Sequence, residues 1–183
     1  MPRAKEPASP EQELAASFRP GDRFAPNQVL TIELALFCQS GVSIVIASCE
    51  QGGEPVVGRG LACRLDEPDS VRIVLRKSSN PALFRAVREG SGLAVTFTKP
   101  STHRSIQLKA NAARVSSTAA KDGLAAKSQT ADFSADLVAC GYTEEFSRAY
   151  CAFAQDDLAA IDFVPEHAFV QTPGPGAGSA LSP

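Results

Sequence analysis

Apolar and polar positions along the chain fall into short stretches whose spacing separates strands from helices. Residues 42–48 (Val-Ser-Ile-Val-Ile-Ala-Ser) are apolar and β-branched enough to predict a buried strand. Glu50-Gln-Gly-Gly-Glu54 then predicts a hairpin turn, because its glycines supply positive φ. The return strand runs over 55–65, a second turn over 66–70, and a third strand over 71–75, where Arg72 faces away from Val71 and Ile73. Strands are predicted again at 92–98 and 105–116. In the latter, Ile106, Leu108 and Ala110 alternate with Gln107, Lys109 and Asn111, the period-2 rhythm of a half-buried strand. A last strand is expected at 159–164.

Helices occupy the intervals. Thr31 is placed to cap a helix through Glu33, Leu34, Leu36 and Phe37, with Gly41 as its stop. Asn80 is placed to cap a second helix that opens on Pro81, turns Leu83, Phe84 and Val87 inward and ends at Gly90. An alanine-rich helix follows from Ala119 through Phe133 and beyond, and another spans 143–153 from a start at Thr143. Consecutive strands joined by tight turns pair antiparallel, and six short strands are enough to close a small barrel. The expected fold class is therefore mainly β with helices, a six-stranded antiparallel barrel over residues 27–170. Residues 1–26, broken by Pro2, Pro7, Pro10, Pro20 and Pro26, are expected to be loose apart from a short helix at 10–18. The Gly/Pro-rich tail, 171–183, is expected to lie extended and to contribute little to folding.

Composition narrows the class of partner. The chain's 183 residues, 44% of them hydrophobic, suffice for one domain with a sizeable core. A formal charge of -2 implies no basic face for nucleic acid. No apolar run approaches a membrane span, and the N-terminus lacks the apolar core of a secretory signal, so the expected location is cytoplasmic. Five cysteines with no C-x-x-C pair support neither a disulfide framework nor a thiolate zinc site; Cys38, Cys49 and Cys63 are expected to pack as small hydrophobes. Two histidines cannot make a histidine-rich metal site.

Three clusters carry candidate chemistry. In the turn after residues 93–97, Ser101, Thr102, His103, Arg104 and Ser105 put hydroxyls, an imidazole and a guanidinium in five positions, a donor set that suits a phosphate. On the second strand, Arg59-Gly-Leu-Ala-Cys-Arg64 offers cations beside Gly60, where a ligand or another backbone can come close. Arg76-Lys-Ser-Ser-Asn80 leads into a helix whose first amides point outward, a ready anion site. Simple capping and a solvated charged turn account for the same residues equally well. No arrangement supports nucleophilic catalysis, since no acid is placed to orient His103 beside Ser101, and no glycine-rich nucleotide loop is present.

The strand at 42–48, the glycine turn, Pro55-Val-Val-Gly-Arg-Gly60, and the strand–helix–strand unit ending in Pro100-Ser-Thr-His-Arg-Ser-Ile-Gln-Leu-Lys109 together resemble the pyridoxamine 5'-phosphate oxidase-like flavoproteins. The closing Gln171-Thr-Pro-Gly-Pro-Gly-Ala-Gly178 looks like the tail of an uncharacterised bacterial branch of that superfamily, and the likeness covers residues 30–178. The resemblance implies a split β-barrel that binds flavin mononucleotide (FMN) at a homodimer interface. It implies that Arg59 and Gly60 meet the flavin phosphate or ring edge and that main chain near Leu61 and Ala62 faces the isoalloxazine. Arg76, Lys77, Ser78, Ser79 and Asn80 would hold the phosphate, and His103, Arg104, Ser105 and Gln107 would approach from the side or from the partner subunit. Pro81-Ala82 stands where the true oxidase has an Arg-Lys pair, and the oxidase's C-terminal arginine–histidine signature is absent. A flavin-dependent oxidoreductase other than a pyridoxamine phosphate oxidase is therefore expected. A non-catalytic flavin or haem binder, or an F420-dependent reductase on the same fold, remains as an alternative.

Overall fold

A computed structural model describes residues 29–67 and 70–181. The N-terminal segment expected to be loose, the short helix expected within it and the tip of the expected 66–70 turn lie outside the described residues. Helix α1 (Ile32–Cys38) starts as its sequence predicts, with Thr31 Oγ1 accepting from Leu34 N at 3.1 Å. Strands β1 (Ser43–Cys49), β2 (Pro55–Glu67) and β3 (Ser70–Arg76) form an antiparallel meander. Helix α2 (Pro81–Arg88) and strands β4 (Leu93–Thr98), β5 (Ser105–Ala110) and β6 (Ala113–Ser116) come next. They are followed by α3 (Ala120–Ala139), α4 (Glu144–Cys151), a short 3-10 turn (Gln155–Asp157), β7 (Leu158–Phe163) and β8 (His167–Val170).

The class is as expected, mainly β with helices on one antiparallel sheet, but the strands number eight among the described residues and their ladder does not close. Their order is β6-β7-β3-β2-β1-β4-β5-β8. Two departures make up the count. The single strand expected over 105–116 breaks at Asn111 and Ala112, and the unforeseen β8 pairs with β5. The break shapes the whole sheet. In a flat sheet β5 and β6 would stand six strand spacings apart, roughly 29 Å. Only Asn111 and Ala112 join them, a link that reaches about 10 Å. The sheet must therefore curl to bring β5 and β6 together, without closing into a hydrogen-bonded ring.

The interior of the curl holds the main core, with Leu34, Ile44, Ile46, Ile73, Leu75, Leu83, Val95, Phe97, Ile106, Leu108 and Ile161 buried together. A second cluster lies outside the sheet, where Leu61, Ala62, Val74 and Leu158 pack under Ala126 of α3. Cys38 and Cys63 pack as small hydrophobes; Cys49 is exposed at the end of β1. The tail departs from its expected extended course. Gly178 N donates to Val170 O, Val170 N to Ser179 O and Leu181 N to Ala168 O, folding the segment back on β8, and Leu181 enters the main core. One apolar side chain at position 181 rewards the ordering of a segment that glycine and proline otherwise leave irregular. No helix among the described residues is long and apolar enough to cross a membrane.

Candidate functional site

Register fixes which candidate residues share a surface. Arg59 pairs with Val45 of β1, Val45 with Thr96 of β4, and Thr96 with Gln107 of β5. Directly opposed side chains project to the same side of a sheet. Arg59, Val45, Thr96 and Gln107 therefore form one row on the outer face, where Gln107 Nε2 donates to Thr96 Oγ1 at 3.0 Å. Val57, two residues from Arg59, belongs to the same face and is 67% exposed.

At the foot of β2 and β3 the Arg59 cluster and the 76–80 turn do come together. Arg59 lies over the ring of Tyr150 in α4, with its guanidinium carbon 3.8 Å from the centroid, and it donates to Tyr150 O. Arg76 Nη1 donates to Ala152 O at 3.4 Å, just past the end of α4. Asn80 is buried, and its side chain does not cap α2 as expected. Its Oδ1 accepts from Arg59 N at 3.1 Å and its Nδ2 donates to Arg76 O at 2.7 Å, so the amide clamps strand to turn. Gly58 makes the clamp possible, since a Cβ there would stand 2.3 Å from Asn80 Oδ1. Lys77, Ser78 and Ser79 are exposed on the turn.

Asp157 meets that turn, which sequence reasoning missed. Ser78 N donates to Asp157 Oδ1 at 2.9 Å and Ser78 Oγ to Asp157 Oδ2 at 2.6 Å. These bonds, with Lys77 and Arg76 nearby, hold the Asp157 carboxyl below its usual range. Asp157 lies seventy-nine residues from Ser78, so no local pattern signals the contact.

The remaining expected residues go elsewhere. Gly60 makes a close approach, but to core side chains: a Cβ there would lie 2.8 Å from Ile44 Cγ2 and from Ile73 Cγ2. Between Gly60 and Ala62 the register with β3 slips by one residue, a β-bulge that leaves Leu61 and Ala62 both in the outer cluster against Val74. That surface is closed by α3. Gln129 completes the cover, its Oε1 accepting from Cys63 N at 2.9 Å and its Nε2 donating to Cys63 O at 2.7 Å. The first turn of α3 is pinned by charge. Buried Asp122 is bonded by Arg64, by Arg72 Nε at 3.0 Å and by Ala119 N at 2.8 Å. Burial alone would raise its pKa, but the bonds from Arg72, Ala119 N and Arg64 outweigh burial and set it at about 2.

The turn between β4 and β5 leaves the sheet in the opposite direction from the 76–80 turn, so His103 and Arg104 do not join the Arg59 cluster within one chain. His103 takes a positive φ of 60°, with its N–H bonded to Lys99 O at 2.8 Å. Asp136 of α3 binds this donor-rich turn, accepting from Ser101 N at 3.1 Å and pairing with Lys99 Nζ at 3.2 Å. Arg104 lies over Phe37 at 4.8 Å and 3.6 Å from Glu33. Ser105 is buried, with Oγ 2.6 Å from Thr98 Oγ1 and its N–H donating to Thr172 Oγ1 at 2.9 Å. Among the described residues no group of three or more His, Cys, Asp or Glu is placed to hold a metal ion.

No family model matches the chain, and no curated protein matches it. Solved structures do. HupZ of Group A Streptococcus is 11% identical, with 81% of this chain and 99% of that chain covered and a TM-score of 0.50. A candidate pyridoxamine 5'-phosphate oxidase from Lactobacillus delbrueckii is 13% identical over 81% of this chain and 98% of the other, with a TM-score of 0.49. A pyridoxamine 5'-phosphate oxidase-related, FMN-binding protein from Nostoc punctiforme is 12% identical over 70% and 73%, with a TM-score of 0.41. At 11% identity the likeness to HupZ speaks for the fold alone.

Proposed function

We propose that the protein binds FMN, with the phosphate at the foot of β2 and β3, and uses it as an oxidoreductase on a small molecule. The observation that carries this reading is the buried Asn80 clamp, which holds the main chain of Arg59 against the turn that carries Arg76, Lys77 and Ser78. A phosphate monoester carries close to two negative charges and is best held by cations beside oriented N–H and O–H donors. Arg76 and Lys77 supply charge, Ser78 supplies an N–H and a hydroxyl once Asp157 releases them, and Arg59 stands on the outer face of β2 against Tyr150.

The donor set fits the phosphate end of the cofactor; the surface first expected to face the ring does not. Leu61 and Ala62 are covered by α3, so the flavin ring is assigned to the exposed ground beside Arg59, where Val45 and Val57 are apolar and Tyr150 is aromatic. FMN, when bound, supplies the hydride and electron transfer, and the chain's residues bind, orient and shield it. The exposed Val45 and Val57, on the part of the outer sheet face that α3 and α4 leave open, also favour a homodimer through that face. Such a dimer offers the route by which the partner's β4–β5 turn, with its His103 and Arg104, reaches the cofactor.

Paired titrations with FMN and riboflavin, on the wild type and on Arg76→Ala/Lys77→Ala, test the site. Loss of charge-assisted partners is expected to weaken FMN roughly ten- to a hundredfold, with riboflavin little changed. Equal weakening of both ligands, or of neither, removes the phosphate from this turn.

A further inference from the structure

The proposed phosphate position already holds an anion of the chain's own. Ser78 gives both of its donors to Asp157, at 2.9 and 2.6 Å, in the manner of a bound phosphate oxygen pair. The geometry is bidentate and the bonds are charge-assisted, so they compete directly with any ligand oxygen that needs the same two donors. We infer that Asp157 is a resident occupant of the phosphate position, displaced when a phosphorylated flavin binds, and that it sets how strongly the site prefers FMN over riboflavin. This inference rests on the site reading above and adds to it a residue that governs selectivity.

The surroundings show how the exchange can proceed without unfolding. The backbone of Asp157 is held independently of its carboxylate: Lys77 N donates to Asp157 O at 2.7 Å, and Asp157 N donates to Ala154 O at 3.2 Å. Only the side chain must rotate for Ser78 to be released, while the strand-end contact between β3 and β7 persists. Beside the turn lies a cavity of about 520 Å³ lined in part by Lys77, Arg88, Ser117, Gln155 and Asp156. It gives the displaced carboxylate solvated space, with Arg88 as a cation and Asp156 as an anion on its wall. An incoming phosphate brings more charge than the carboxylate it replaces, and Arg76 and Lys77 reward that difference. Riboflavin brings no anion, leaves Asp157 on Ser78 and gains nothing from either cation.

Asp157→Ala and Asp157→Asn, measured against the wild type, test the exchange with three probes: FMN, riboflavin and inorganic phosphate. Removing the competitor is expected to tighten FMN binding on the order of tenfold, leave riboflavin unchanged, and increase the rise in melting temperature caused by inorganic phosphate. The asparagine variant, which keeps the shape and loses the charge, should fall between alanine and wild type. FMN affinity that is unchanged or lowered in both variants, with the fold intact by circular dichroism, overturns the inference while leaving the FMN reading standing. A fall in affinity for both flavins together with a lower melting temperature also overturns it, since Asp157 is then only a structural tie. If no variant binds either flavin, the FMN reading fails. The phosphate arm still decides whether Asp157 excludes an anion from Ser78.

Discussion

Asp122→Ala tests the cover that α3 places over β2. The Asp122 side chain is fully buried, and the two guanidinium groups it joins are largely so, with Arg64 at 9% and Arg72 at 19% side-chain exposure. A carboxylate in that setting is held by charge and by hydrogen bonds that water cannot replace. Removing one partner of a buried ion pair typically costs about 3–5 kcal/mol, because the other charge stays buried. Arg72 keeps a second carboxylate, Asp162, at 2.7 Å, and the hydroxyl of Ser116 at 2.9 Å, so the lower end applies. A loss of about 3 kcal/mol in a chain of this size lowers the melting temperature by roughly 6–12 °C. Urea unfolding followed by circular dichroism measures it, with an unchanged slope showing that the denatured state is the same. Asp122→Asn should cost less, since it keeps an acceptor for Ala119 N. Hydrogen exchange should quicken at Leu61, Ala62 and Cys63 in the alanine variant, because the first turn of α3 is no longer pinned. A melting temperature within about 2 °C of wild type would show that Asp122 does not hold the helix in place.

Further outcomes follow from the same geometry. With the folded pKa of Asp122 lowered from 3.8 to about 2, its contribution to stability is full above the unfolded value and is lost as pH falls from about 4 towards 2. Acid unfolding of the wild type should steepen in that window, and the Asp122→Asn variant should lack the steepening. Asn80→Ala breaks the clamp on Arg59 N and Arg76 O and leaves both part-buried groups short of a partner, a cost of about 1–3 kcal/mol by urea unfolding. FMN affinity should fall with it. Leu181→Ala should destabilise by about 2–4 kcal/mol, as a core leucine does; no change would return the tail to the passive role its composition implies. Val57→Asp should shift the protein from dimer to monomer in light scattering, and a wild type that is already monomeric at micromolar concentration contradicts the proposed interface.

Local signals in the sequence carried the elements well. The Thr31 cap, the 50–54 hairpin turn, the Pro81 helix start and the period-2 alternation at 106–110 each rest on neighbours in the chain, and the structure reproduces them. What escaped was decided at long range. The break at Asn111 and Ala112 arises because the strand must leave β4 and join β7, a demand of barrel curvature that alternation does not record. β8 is four residues long and the tail behind it is ordered by one leucine, too little for composition to reveal. The candidate site split along the same line. Arg59 and the 76–80 turn were legible because β2 and β3 are sequence neighbours. Tyr150, Asp157 and the α3 cover over Leu61 and Ala62 reach the site from residues far along the chain. Asn80 shows the difference within one residue: its place before Pro81 announced a cap, and tertiary contacts turned it into a clamp instead.

The central claim is that this fold carries FMN, and the visible spectrum of the purified protein tests it most directly, followed by mass analysis of what denaturation releases. The account predicts flavin absorption bands and a released species with the mass of FMN, or the same bands after FMN is added and excess removed. A haem band, a deazaflavin mass, or a colourless protein that retains no FMN at saturating concentration contradicts it.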